Sequence, residues 1–163
     1  MTSEQIASDG FQCAQVLNRF FYYLDEFRYE DLVGLMLEDG TWFRQGQSLR
    51  GRGQILGTLN ERSRTQRIRH IITNTVVDVA EPGKAVGTAY LTVYKFDDGS
   101  ELTRPPTIDA PFRISLVQVK FTKVSDKWLI AEQHIAPQFE LSSREPSSAS
   151  SLSKSETAGK SQK

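Results

Sequence analysis

Arg67-Ile68-Arg69-His70-Ile71-Ile72-Thr73-Asn74-Thr75-Val76-Val77-Asp78-Val79 is the stretch whose reading decides the fold. β-Branched residues dominate it, and the turn sequence Glu81-Pro82-Gly83-Lys84 closes it. Val, Ile and Thr suit a pleated, half-buried surface, so the stretch predicts one long strand. Side chains alternate across a strand, which assigns His70, Ile72, Asn74 and Val76 to one face and Ile71, Thr73, Thr75 and Val77 to the other. His70 is one of two histidines in the chain. Imidazole titrates near neutral pH and serves as acid, base or ligand. A lone strand histidine is more often structural than catalytic, so its meaning rests on what the remaining residues bring to it.

Upstream, residues 8–27 predict an amphipathic helix with Ser8 or Asp9 as its cap, because Leu17, Phe20, Phe21, Leu24 and Phe27 recur at spacings of three and four. Asp25 continues that apolar stripe, four residues after Phe21. A carboxylate there is either the wet end of the helix or a buried acid kept for chemistry. Residues 29–37 predict a second helix, Asp39-Gly40 a turn, residues 41–44 a strand, and residues 51–64 a third helix with Ile55, Leu56 and Leu59 inside. Arg62, Arg64, Arg67 and Arg69 read as a solvated surface.

Downstream come strands alone, over residues 84–96, 112–124 and 128–135, with a proline-bearing loop before the second of these. Trp128, Ile130, Glu132 and His134 alternate onto one face, and His134 reads as an exposed or dimer-contact residue near the strand end. Helices segregated from a run of antiparallel strands indicate the α+β class.

The 163 residues suit one domain with a full-sized core, and the charge is balanced at 20 basic and 20 acidic side chains. No basic patch dominates, which argues against nucleic acid as a partner. Cys13 is the only cysteine and no His-Glu-x-x-His spacing occurs, so neither a disulfide nor a zinc site is expected. Without a leader-like segment or an apolar run of membrane length, a soluble cytoplasmic protein with no membrane partner is the expectation. From residue 141 onward serines alternate with Lys, Glu and Gly, so residues 1–140 are expected to form the domain and 141–163 a disordered tail. Strands 84–96 and 112–124 carry apolar residues on both faces, which predicts a homodimer through the outer face of the sheet.

Four fragments in order carry a family resemblance: Leu24-Asp25-Glu26-Phe27-Arg28-Tyr29-Glu30-Asp31-Leu32, Glu38-Asp39-Gly40-Thr41-Trp42, Gly51-Arg52-Gly53-Gln54-Ile55 and Arg69-His70-Ile71-Ile72-Thr73-Asn74. Together they resemble the SnoaL-like branch of the nuclear transport factor 2-like superfamily over roughly residues 11–139. The resemblance implies a cone, in which a strongly curved mixed sheet wraps a cavity and three N-terminal helices close it. Scytalone dehydratase and bile-acid dehydratases in this group are similar in carrying an Asp on the first helix and a His on the first long strand. Matched by motif, these fall on Asp25 and His70 as the catalytic pair. The implied chemistry is that of a cofactor-free lyase or isomerase, of dehydratase or cyclase type, on a small cyclic or polyketide-like substrate. Homodimers are the expectation for the group, and trimers also occur in it.

The departures from scytalone dehydratase bear on the substrate. Its second pocket histidine corresponds to Lys95, and its first-strand tyrosine to a place near Arg44. Tyr22, Tyr23, Tyr90 and Tyr94 are candidates to supply phenols from elsewhere, Tyr22 and Tyr90 foremost, Asn74 to hold a substrate oxygen and Arg44 to bind substrate, while Trp42 is either a wall of the pocket or part of the core. The resemblance also extends to the small subunits of aromatic-ring dioxygenases around residues 20–42, which implies an alternative: a non-catalytic ligand-binding or assembly domain.

Overall fold

The computed structural model describes residues 1–139. The boundary expected near residue 141, and the serine-rich tail, lie outside the described residues. The first helix, α1, runs Ser3–Asp25, capped by the Thr2 hydroxyl, which accepts the Gln5 N–H at 3.1 Å. It thus begins five residues ahead of the expected cap, because Glu4, Gln5 and Ala7 are good helix formers behind a capping threonine. Its buried stripe is Cys13, Val16, Leu17, Phe20, Phe21 and Leu24, and a buried aspartate stands at each end of it, Asp9 and Asp25.

Helix α2 is short, Tyr29–Gly34. Strand β1 starts at once, Met36–Arg44, so the expected helix through residue 37 stops early and Asp39-Gly40 lies inside a strand rather than in a turn. Met36 is drawn into the sheet by pairing with Ile130, and the β1 register then slips before Thr41. Gly40 occupies that slip. A Cβ there would meet the backbone oxygens of Ile130 and Leu37 at 3.0 and 3.1 Å. Backbone cannot yield as a side chain can, so Gly40→Ala is expected to cost about 1–3 kcal/mol, read as a lower urea midpoint with an unchanged slope.

At Gln45-Gly46, both residues take positive φ (50° and 75°) and turn the chain into β2, Gln47–Arg50, a strand not expected from the sequence. Helix α3 covers Gly51–Asn60 and ends four residues short of its expected end. The long strands follow as β3 Arg67–Glu81, β4 Lys84–Phe96, β5 Arg113–Val124 and β6 Lys127–Phe139. The six form one mixed sheet in the order β2-β1-β6-β5-β4-β3, antiparallel except where β1 meets β6 in parallel. The sheet is not closed, and the three helices pack on its inner face to give a cone-like α+β architecture. Trp42, Phe20, Phe21 and Phe121 are among the largest fully buried side chains of its core.

Two irregularities reverse the expected faces. In β3 the register shifts between Thr73 and Val76, and Asn74 takes φ 52°. An extra residue in the strand inverts the alternation beyond it. His70 and Ile72 therefore face inward as read, but Asn74 is exposed, Val76 is 56% exposed, and Val77 and Val79 pack inward instead. In β6 a second shift lies between the pairs Lys120–Glu132 and Phe121–Ile130. Trp128 and Ile130 stay inside, and Gln133 joins them, while Glu132 and His134 turn outward. Because Asn74 supports a left-handed backbone rather than a substrate, Asn74→Gly is expected to leave stability within about 0.5 kcal/mol, whereas Asn74→Val costs about 1–3 kcal/mol. Thermal melts of the two variants distinguish these outcomes.

Candidate functional site

The inner face is set by register. His70 lies opposite Val93, and Val93 opposite Arg113, so one inward row crosses β3, β4 and β5. Asp25, at the last turn of α1, meets this row at His70. Its Oδ2 accepts the His70 backbone N–H at 2.8 Å, and its Oδ1 lies 2.5 Å from His70 Nδ1. Both side chains are buried, and the Phe21 ring packs on the imidazole at 5.2 Å between centroids. One carboxylate therefore holds the histidine by main chain and side chain together. As an acceptor, the carboxylate selects the tautomer with hydrogen on Nδ1 and leaves the Nε2 lone pair free.

His70 lines a cavity of about 70 Å³ together with Leu24, Trp42, Ile68, Leu91, Val93 and Ile135. Arg44, Arg62, Arg113 and Phe112 also line it. The Arg44 guanidinium stacks on the Trp42 ring at 4.6 Å. Burial holds the Arg44 pKa below its usual value, and the like charges of Arg62 and Arg113 act in the same direction. Arg62 ties down the end of α1, donating to the Leu24 carbonyl at 2.9 Å and to the Tyr29 hydroxyl at 3.0 Å. Among the described residues, the indole N–H of buried Trp42 meets no acceptor. Cys13 is no nucleophile, since burial pushes its thiol up to about 12. No group of three or more His, Cys, Asp or Glu side chains fit to hold a metal occurs among the described residues.

Three helices packed on a six-stranded mixed sheet match a known domain. The family model described as a SnoaL-like domain matches residues 5–134. The chain belongs to the SnoaL-like family. Solved structures with this fold include a putative scytalone dehydratase from Novosphingobium aromaticivorans (17% identity, TM-score 0.63, covering 78% of this chain and 83% of that one). ActVI-ORFA from Streptomyces coelicolor is similar to the same degree (17%, 0.63, 77% and 94%). A protein of unknown function from Mycobacterium tuberculosis gives 19% identity and a TM-score of 0.67 over 78% of this chain and 70% of that one. No curated protein matches the chain.

In this SnoaL-like chain, Asp25, His70, Trp42 and Arg44 come together at or beside the cavity. Three expected substrate-binding residues do not. Tyr22 lies off the buried stripe of α1 and is 55% exposed; Tyr90 alternates onto the outer face and is 52% exposed; Asn74 is turned out by the β3 bulge. Arg62, expected on a solvated surface, and Arg113, which carries no expectation of its own, both line the cavity. For Arg113 the signal was present, since it alternates with the buried Ser115 and Val117 of its own strand. For Arg62 nothing local distinguishes a cavity arginine from a solvated one; only the return of the chain past the end of α1 places it.

Among the described residues, no helix is long and apolar enough to cross a membrane.

Proposed function

We propose that the chain is a lyase or isomerase of the dehydratase or cyclase type, in which His70 moves the proton and Asp25 is its positioning residue. One observation supports this reading: Asp25 engages both the backbone N–H and Nδ1 of His70, so Nε2 is the nitrogen left for the cavity that His70 lines. Nε2 takes a proton from the carbon next to a carbonyl, and the C–H electron pair enters the new carbon–carbon double bond of an enolate. In an isomerisation the imidazolium returns the proton to a different carbon. In a dehydration it gives the proton to the departing hydroxyl, the C–O bond breaks and water leaves. Asp25 carries the charge balance of the imidazolium throughout. A base so placed supplies about 10²–10⁴ in rate, enough for a C–H already acidified by a carbonyl. Trp42 and the aliphatic side chains of Leu91, Val93 and Ile135 form the apolar wall. The cavity of about 70 Å³ favours a single ring or a short chain over a fused-ring substrate.

The test is deuterium uptake from D2O at the carbon next to the carbonyl of 3-hydroxycyclohexanone, with enone absorbance followed in parallel. The wild-type protein is expected to accelerate one or both, and His70→Ala to abolish the acceleration. Equal rates for the two proteins, with ligand binding retained, would favour the non-catalytic ligand-binding or assembly domain.

Assembly is a separate part of the reading. Ile71, Val86 and Tyr90 are each about half exposed on the outer face, where Tyr90 stands opposite Leu116 and Thr92 opposite Ile114. That row suits the homodimer, with a trimer as the alternative closure. Light scattering is expected to give twice the chain mass, and Tyr90→Asp to halve it. A wild-type mass equal to one chain at all concentrations would remove this part.

A further inference from the structure

Three arginines face one small cavity, and no carboxylate is among its lining residues as described. Elsewhere in the described residues five basic side chains pair with acids: Arg28 with Asp31, Arg52 with Glu38, Arg69 with Glu26, Lys120 with Glu132 and Lys123 with Asp9. The three cavity arginines have no such pair among those residues. Arg62 spends one nitrogen on backbone and phenol oxygens, Arg44 rests on the Trp42 ring and Arg113 beside the Phe112 ring. The larger charge effects on Arg44 come from Arg62 and Arg113, both of its own sign, with Tyr29 acting less strongly the other way. Like charges gathered at a half-buried wall oppose folding unless something offsets them. An anion at that wall turns the repulsion into attraction, and guanidinium groups present paired donors that match a planar carboxylate.

The rest of the lining limits what else the ligand carries. Ile68, Leu91, Val93 and Ile135 are aliphatic, and His70 lines the same cavity. The free volume, about 70 Å³, holds roughly five water-sized centres, which suits a short apolar body with one anionic end. Buried Trp42, which lines the same space, adds an indole N–H with no acceptor among the described residues.

We propose, resting on the reading of His70 as the working base, that the substrate of this cavity is a small carboxylate, its anionic end held by Arg44 and Arg113 and its apolar part laid against Leu91, Val93 and Ile135. Arg62 adds positive field from the end of α3 while keeping its structural bonds. The inference concerns binding.

The experiment uses the full chain, labelled with ¹⁵N. There are two tryptophans, hence two indole N–H signals, and Trp128 donates its own to Asp9 away from the cavity. Acetate, crotonate and benzoate are titrated against their neutral isosteres acetamide, crotonamide and benzamide. At least one carboxylate is expected to move the Trp42 signal while Trp128 stays still, and to bind at least tenfold more tightly than its amide. Arg44→Gln is expected to erase that preference and Arg44→Lys to restore part of it, which excludes a folding defect as the cause. His70→Gln keeps the preference if the arginines supply it. Amides binding as tightly as the acids, loss of the preference in His70→Gln, equal movement of both indole signals, or tighter binding of inorganic phosphate than of all three acids would each overturn the inference. If deuterium uptake fails on 3-hydroxycyclohexanone and on the short keto acid levulinate alike while the carboxylate preference stands, the proton-transfer reading falls alone and the site remains an acid-binding one.

Discussion

Replacing His70 with Ala, or Asp25 with Asn, is expected to lower turnover by about 10²–10⁴ while the protein stays folded, and the double variant is expected to be little worse than either one. The two singles reach that loss differently. His70→Ala removes the base. Asp25→Asn leaves it in place, but the amide offers one acceptor oxygen where the carboxylate offered two, to the His70 backbone N–H at 2.8 Å and to its ring. The amide NH2 then either opposes an N–H or donates to Nδ1, and the latter moves the ring hydrogen onto Nε2, where it blocks the lone pair. Asp25→Asn also leaves a buried donor short of its partner, so it is expected to cost about 1–3 kcal/mol that His70→Ala does not share in the same way. Circular dichroism melts and turnover on the same samples separate the two effects. If turnover falls only as far as the folded fraction falls, or if the two losses multiply in the double variant, the pair is not a working unit.

The fold was legible because the elements that decide it each declare their type over about two turns or half a dozen residues that no irregularity interrupts. The stripe from Leu17 to Leu24 and the β-branched run from Arg67 onward needed no tertiary information to be read as helix and strand. At the end of the second helix, pairing across the sheet overrode the short-range pattern. Leu35, Met36 and Leu37 look like the end of a helix, yet Met36 pairs with Ile130, ninety-four residues away, and the strand begins there. The missed β2 is four residues long and exists because Gln45 and Gly46 both accept positive φ, which no hydrophobic run signals.

The candidate site was legible in its chemistry and less so in its walls. Asp25 stood out as a carboxylate on an apolar stripe, and His70 as a scarce residue on the strand that such a stripe covers. Asn74 was misplaced by a bulge: two residues apart in a strand means one face only while the register holds, and an asparagine is itself a residue that tolerates the φ that breaks it. Tyr22 and Tyr90 were proposed as spare phenols without a facing argument, and the stripe and the alternation put both outside. Arg44 is legible as a pocket residue, but Arg62 reads as a solvated charge and Arg113 carries no reading of its own; their meaning comes from three separate segments converging on one cavity.

The other end of the α1 stripe gives the last expected result: Asp9→Ala should lower stability by about 3 kcal/mol, or about 6–12 °C in melting temperature, without reaching the cavity. Asp9 is 3% exposed. Its Oδ1 accepts the Trp128 indole N–H at 2.9 Å and the Lys123 ammonium at 3.0 Å, and its Oδ2 accepts Gln5 Nε2 at 3.0 Å. Trp128 and Lys123 flank the tight β5–β6 turn, where Ser125 and Asp126 both take positive φ, so this carboxylate fastens the start of α1 to that hairpin. Removing it leaves a buried indole N–H unpaired and a half-sheltered ammonium without its counter-charge. The Trp128 hydrogen bond, helped by Gln5 and Lys123, holds the Asp9 carboxyl below its ordinary value of 3.8 even though burial pulls the other way. A carboxyl whose folded value is depressed adds stability that is fully present above the unfolded value and is lost as pH falls through the folded one. The stability gap between wild type and Asp9→Ala should therefore be constant from neutral pH down to about 5 and narrow steadily below about 4. Urea titrations at a series of pH values measure that gap. A gap unchanged down to pH 2 would mean that the neutral acid satisfies Trp128 as well as the carboxylate does.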